Sequence, residues 1–143
     1  MKENKKISIR SYRSDDYMNL LNLYNDDEIK DTFNGFRADR LIASEYIFMI
    51  DLNKKNIGFI LLVFKNKNEL NIDMGILKEY RNKGYGKEVM KQLKIIINAN
   101  VDKDIIAEVK KDNINANKTI VNGGFELSKT ENDNVNIYKY VRN

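Results

Sequence analysis

The sequence predicts a mixed α/β fold, α+β in character, and three observations carry that expectation. Three apolar, β-type segments joined by short polar turns, Tyr46 to Asp51, Ile57 to Phe64 and Leu70 to Leu77, make a meander in the middle of the chain. The pattern then turns helical, with Val89, Met90, Leu93, Ile96 and Ile97 on a stripe of period about 3.6. A short apolar strand, Ile105 to Val109, follows that helix and implies a crossover.

The remaining elements follow in order. Ile7 to Tyr12 alternates and reads as a first strand. Ser14-Asp15-Asp16 then reads as a helix start capped by Ser14 or Asp15. Tyr17, Leu20, Leu21, Leu23 and Tyr24 continue that helix until Asn25-Asp26-Asp27. Asn34-Gly35 is a turn signal, and Ala38 to Glu45 a second short helix. Asn53 to Asn56 and Lys65 to Asn68 are the meander's turns. In the third meander strand Leu70, Ile72, Met74 and Ile76 alternate against Asn71 and Asp73. The long helix runs from the glycines to about Asn98, with Lys87, Glu88, Lys91 and Lys94 on its polar face. Ala116 to Val121 is a short helix stopped by Asn122-Gly123-Gly124. Phe125 to Leu127 and Val135 to Val141 are the last strands, joined by a polar turn at Glu131 to Asn134. No repeat or linker interrupts the pattern, so one domain over residues 1–143 is expected.

Composition removes several chemistries. The 143 residues contain no Cys and no His. Disulfides, thiolate metal sites, His ligands and a Ser-His-Asp triad are thereby excluded, and no metal is expected. Acid–base work must come from carboxylates, Lys, Tyr, backbone or water. With no Pro, the turns fall to Gly, Asn and Asp. The net charge of +4, from 25 basic and 21 acidic residues, is spread along the chain without aromatic–basic interleaving. No nucleic-acid partner is expected from it, although it favours an anionic cofactor. No apolar stretch reaches membrane-spanning length, and no h-region follows the charged N-terminus. A cytoplasmic protein without a membrane partner is the expectation, monomeric or homodimeric through a C-terminal edge strand.

The strongest local signal is strand, glycine loop, amphipathic helix. Gly84 and Gly86 let the backbone turn tightly and approach a ligand. The first N–H groups of the following helix lack internal partners, and its dipole adds positive potential there. Arg81, Lys83 and Lys87 surround this anion cradle. On its own the segment also reads as a plain turn. A Walker A loop is excluded because Lys87 is followed by Glu88, and a dinucleotide fingerprint because Val89 stands where its third Gly belongs.

Arg81-Asn82-Lys83-Gly84-Tyr85-Gly86 resembles the R/Q-x-x-G-x-G/A motif of the GNAT superfamily of N-acetyltransferases. Ile76-Leu77-Lys78-Glu79-Tyr80 is similar to that family's lead-in, with Lys78 where Pro is common. Val109, Asn113, Ala116 and Gly124-Phe125 resemble its second signature. The resemblance covers nearly the whole chain. It implies a GNAT-like fold, with a mostly antiparallel mixed sheet of six to seven strands flanked by about four helices. It also implies acetyl-CoA as cofactor and direct attack of a primary amine on the thioester.

Residue by residue, the resemblance implies a strand that splays from its neighbour and offers backbone around Met74, Ile76 and Leu77 to pantetheine. Arg81, Asn82, Lys83, Gly84, Tyr85, Gly86 and Lys87 would hold the pyrophosphate, and Asn113 and Ala116 would meet the pantetheine arm. Asn113 also reads as a cap of the helix near Ala116, a role for which Asn115 is an equal candidate. Many relatives place an acidic Tyr where Ile120 stands here, which leaves Tyr138 as the candidate acid, or as a packed strand residue. The usual base position holds Leu70 and Asn71, so Asp73 is the candidate base, with Glu69 nearby. The segment Asp15 to Tyr24 and the loop Asn34-Gly35-Phe36-Arg37 would line the acceptor side. The acceptor would be an amine of a small molecule or of a peptide or protein N-terminus. The departure at Ile120 keeps a second reading open, a non-catalytic acyl-CoA-binding or sensing domain.

Overall fold

The computed structural model describes residues 6–30 and 38–142. Strand β1 spans Ile7–Ser11 and is followed by a 3-10 turn at Ser14–Asp16 and helices α1 (Tyr17–Tyr24), α2 (Asp27–Lys30) and α3 (Ala38–Ile42). Strands β2 (Ser44–Leu52), β3 (Lys55–Asn66) and β4 (Glu69–Ile76) form the meander. A second 3-10 turn, Lys78–Tyr80, leads to the long helix α4 (Tyr85–Asn100). Strand β5 (Asp104–Lys110), helix α5 (Ile114–Asn122), and strands β6 (Phe125–Glu131) and β7 (Val135–Tyr140) complete the chain.

The seven strands form one sheet in the order β1-β2-β3-β4-β5-β7-β6. Every neighbouring pair is antiparallel except β4 and β5, which the α4 crossover makes parallel. The mixed, mostly antiparallel sheet is therefore as the sequence led us to expect. Two of its hairpins turn on residue pairs with positive φ, Asn53-Lys54 (50° and 72°) and Asn132-Asp133 (52° and 58°). Left-handed conformation at both central residues matches the right-handed twist of the flanking strands.

The central strand β3 explains its own unbroken apolar run, because it is covered on both faces. Ile60 and Leu62 point with Leu70, Ile72, Val89, Leu93 and Ile97 into a core under α4 and α5. Phe59, Leu61 and Val63 point with Leu20, Leu23, Tyr24, Ile29 and Met49 into a second core under α1 and α2. The sheet thus separates an α4–α5 face from an α1–α3 face.

Several local expectations are corrected. Helix α1 is not capped by Ser14 or Asp15. Its lead-in is a 3-10 turn, and the Asp16 carboxylate accepts from the Arg13 amide at 2.8 Å. Asp16 is buried and also takes both Nη atoms of Arg10, at 2.7 and 2.8 Å, while Arg10 Nε bonds Asp51 at 2.8 Å. This cluster ties the start of α1 to β1 and β2, and Arg10 lowers the Asp16 carboxyl to about 2 against the opposing effect of burial. The short α2 was not expected. It forms because Ile29, fully buried, packs over Gly75 of β4, where a Cβ would come within 2.7 Å of it. Helix α3 stops at Ile42 instead of Glu45, with the Ser44 hydroxyl donating to the Arg40 carbonyl at 2.7 Å. Helix α5 begins two residues before Ala116, and β6 extends to Glu131. The Asn34-Gly35 turn and the Asn34 to Arg37 loop lie outside the described residues. Among the described residues no helix is long and apolar enough to cross a membrane.

Candidate active site

Strands β4 and β5 pair over only three positions, Glu69 with Asp104, Leu70 with Ile105 and Asn71 with Ile106. Beyond Asn71, β4 stays hydrogen-bonded to β3 and β5 to β7, and the two strands part. The β5-facing backbone of β4 from Ile72 onward therefore lacks a strand partner among the described residues. Unpaired peptide groups at a sheet opening accept an extended, amide-bearing ligand as an additional strand would. Of the expected contact positions, Met74 and Ile76 lie in this stretch. The Ile76 carbonyl already takes the Arg81 Nε at 2.8 Å, and the Leu77 amide donates to the Ile57 carbonyl at 2.9 Å.

The opening leads to the glycine loop. Arg81 does more than add charge there, since its bond to Ile76 clamps the loop to the end of β4. Asn82 and Gly84 both have positive φ, 60° and 83°. A Cβ built on Gly84 would meet nothing within 4 Å, so its side-chain space is open to a ligand. The first α4 bond runs from the Glu88 amide to the Gly84 carbonyl, and the amides of Tyr85, Gly86 and Lys87 precede it. These are the orphan donors of a helix start, with exposed Lys83 and Lys87 beside them. Gly86 faces Thr119 of α5, its built Cβ 3.8 Å from the Thr119 methyl, so α5 forms the next wall.

Helix α5 is fixed by two asparagines one turn apart. Asn113 caps it, its Oδ1 accepting from the Ala116 amide at 3.1 Å, so the cap reading of Asn113 is realised and pins both residues at the loop after β5. Asn117 is the residue the sequence reading missed. Its Nδ2 donates to the carbonyls of Lys110 (3.0 Å) and Asn113 (2.7 Å), and its Oδ1 accepts from Asn136 Nδ2 (3.0 Å) and the Tyr138 hydroxyl (2.6 Å). An Asn inside a helix, four residues after a capping Asn, was the available signal. Tyr138 is thereby placed: buried on β7, on the α4–α5 face, its proton directed at Asn117. Ile120 is part of the same core.

Asp73 lies on the other face, as its alternation against Leu70, Ile72, Met74 and Ile76 implied. It is buried and held by Arg40 of α3, with Nε to Oδ2 at 2.5 Å and Nη2 to Oδ1 at 2.8 Å. The bond to Asp73 raises the pKa of the Arg40 guanidinium, with burial opposing, and Tyr24 and Glu108 add smaller electrostatic contributions. Asn71, one row deeper, keeps a buried Oδ1 without a donor.

The family model for the acetyltransferase (GNAT) domain matches residues 6–126. Among solved structures, spermidine N-acetyltransferase from Vibrio cholerae in complex with CoA and spermine superposes with a TM-score of 0.78, at 16% identity over 95% of each chain. A putative acetyltransferase from Salmonella typhimurium with acetyl-CoA gives 0.79 at 10% identity, covering 96% of this chain and 94% of its own. An aminoglycoside acetyltransferase in complex with coenzyme A and kanamycin gives 0.72 at 16% identity, over 94% of this chain and 93% of its own. No curated protein matches at the level of sequence. At these identities the structures establish a shared fold, and the family assignment rests on the domain match across most of the chain. The chain belongs to the GNAT acetyltransferase family, whose acetyl donor is acetyl-CoA.

Proposed function

We propose that this acetyltransferase passes the acetyl group of acetyl-CoA to a primary amine, of a small molecule or a protein N-terminus, by direct attack. The observation that carries the reading is the opening between β4 and β5 that runs from the Gly84 loop back to Asp73. The cradle fits a pyrophosphate, because the amides of Tyr85 to Lys87 are free of helical acceptors and the Gly84 side-chain space is open. Asn82, Lys83 and Lys87 add donors and charge at its rim, with Arg81 holding the loop. The β4 edge about Met74 takes the pantetheine amides, with Asn113 and Ala116 at the opposite wall. Three residues separate Asp73 from Ile76, about 10 Å of strand, which brings the thioester end beside the Asp73 row. The acceptor then enters from the α1–α3 face, where Asp73 and Arg40 form part of the wall.

A thiol is far more acidic than an alcohol, so the CoA thiolate departs without an obligatory acid. Ile120 is compatible with that, and Tyr138 on this reading holds α5 against β7 through Asn117. Incubating the protein with acetyl-CoA and spermidine, kanamycin or peptides with free N-termini should release CoA thiol. A thermal shift with acetyl-CoA but no thiol release across the panel would make the chain a non-catalytic acyl-CoA-binding domain instead. The absence of any shift would remove both readings.

A further inference from the structure

We propose that Gln92 closes the outer edge of β1 against strand addition by a second copy of this chain. The sheet ends in β1 on one side and β6 on the other, and neither has a strand beyond it among the described residues. On β1 the Tyr12 amide donates to the Ile47 carbonyl, and the Lys6 carbonyl accepts from the Asn53 amide, so the even-numbered residues face β2. Backbone groups alternate sides along a strand, which turns those of Ile7, Ile9 and Ser11 outward. An outward row of this kind is a template for another chain's strand.

Gln92, on α4, fills that row from within the molecule. Its Nε2 donates to the Ile7 carbonyl at 2.8 Å, and its Oε1 accepts from the Ile9 amide at 3.1 Å. In parallel pairing one residue gives its N–H to the carbonyl of residue i on the neighbouring strand and takes the N–H of residue i+2. The Gln92 carboxamide makes the same two bonds across Ser8. A further Nε2 bond, to Glu88 Oε1 at 3.2 Å, fixes which end of the amide faces which group, because a carboxylate only accepts. Arg10 Nη1 takes the next outward carbonyl, that of Ser11, at 3.4 Å.

The opposite edge carries no such plug. The Val141 amide donates to the Gly124 carbonyl, so the backbone of Phe125 and Leu127 faces outward, and among the described residues no side chain bonds to it. Strand β6 relies instead on a register irregularity between Leu127 and Lys129 and on its charged side chains. Were both edges open, β6 of one copy could lie on β1 of the next. That contact is head-to-tail, so it repeats without closing and grows a filament. Gln92 removes its receiving end and leaves only β6-to-β6 pairing, which stops at two copies.

The test compares wild type with Gln92→Leu and Gln92→Glu by analytical ultracentrifugation and by amide hydrogen exchange resolved at Ile9. Wild type should keep one mass through the micromolar range, where exposed strand edges associate, with the Ile9 amide protected. Gln92→Leu should exceed that mass and grow with concentration. In its dilute form Ile9 should exchange about tenfold faster than in wild type, the worth of roughly one hydrogen bond. In the assembled form Ile9 should be protected again, now by the next copy. Gln92→Glu keeps an acceptor for Ile9 and loses the donor to Ile7, so it should assemble less than Gln92→Leu. Acetyl-CoA affinity should stay within about threefold of wild type in both variants, a difference small beside one tenfold step. Gln92→Leu at wild-type mass, Gln92→Leu assembled with Ile9 still in fast exchange, or a wild type that itself grows without limit overturns the proposal. If only Gln92→Glu folds, wild-type mass in that variant is the overturning result. Loss of the fold in both variants, read by circular dichroism, also overturns it, since the amide is then a tie between α4 and β1 and nothing more.

Discussion

The two faces of the sheet solve different problems with different materials. On the α4–α5 face the proposed donor site is made of backbone: the amides after Gly84, the edge of β4 that lacks a strand partner among the described residues, and a capped helix start. Side chains there mostly hold the backbone in shape, as Arg81 does for Ile76 and Asn117 for α5. On the α1–α3 face the proposed acceptor wall is made of side chains from distant segments, with Arg40 of α3 converging on Asp73 of β4. A backbone site binds a constant ligand and tolerates drift in side chains. A side-chain site can be respecified one residue at a time.

That contrast can be broken at the donor site first. Gly84→Val places a β-branched residue at φ 83° and a side chain in the open phosphate space. We expect acetyl-CoA affinity to fall about 100-fold by calorimetry, from left-handed strain and steric exclusion together. Gly86→Ala, whose Cβ makes only ordinary contact with Thr119, should stay within about threefold, a small fraction of that loss. An equal loss at both positions would mean that the space and not the left-handed turn is what matters.

On the acceptor face, Arg40→Met should lower stability by about 2–3 kcal/mol, because the buried Asp73 carboxylate loses two charge-assisted bonds. A fall in Tm of about 5–10 °C is the readout, with acetyl-CoA affinity little changed. Weakened acetyl-CoA binding in this variant would show that the two faces are coupled.

Asn117→Ala tests the support of the donor site. It removes four hydrogen bonds and leaves the buried Tyr138 hydroxyl without its acceptor, which should cost about 2 kcal/mol. Because α5 loses its tie to β5, KM for acetyl-CoA should rise more than kcat falls. A kcat effect alone would return Tyr138 to the proton chemistry.

The smallest effect is acid sensitivity. Asp16 is held at about 2 in the fold, below its ordinary 3.8, so its stabilisation is complete above about pH 4 and is lost as pH falls towards 2. Allowing for screening, this amounts to about 1 kcal/mol. Asp16→Asn should flatten that part of a stability-versus-pH curve measured by urea unfolding. An unchanged slope would assign the acid sensitivity to other carboxylates.

The same contrast decides what was legible beforehand. The meander, the long helix and the Arg81 to Lys87 loop were readable, since each depends on residues within one element and on backbone rules of period two, period 3.6 and glycine at a turn. Asn113 was readable as a cap for the same reason. The start of α1 was misread because its acid, Asp16, answers to Arg10 and to its own turn instead of capping through Ser14 or Asp15. Helix α2 was invisible because four residues carry no period, and it exists by packing Ile29 on Gly75.

By itself the sequence determined the order of the elements, apart from α2, and the glycine-loop helix start proposed as the donor cradle, because local spacing dictates where a helix starts and which amides it leaves free. Only the tertiary structure decided which carboxylate carries Arg40. Asp73 lies just past the point where β4 and β5 stop pairing at Asn71 and Ile106, and Arg40 of α3 reaches it there, an arrangement set by long-range pairing and packing that no local pattern encodes.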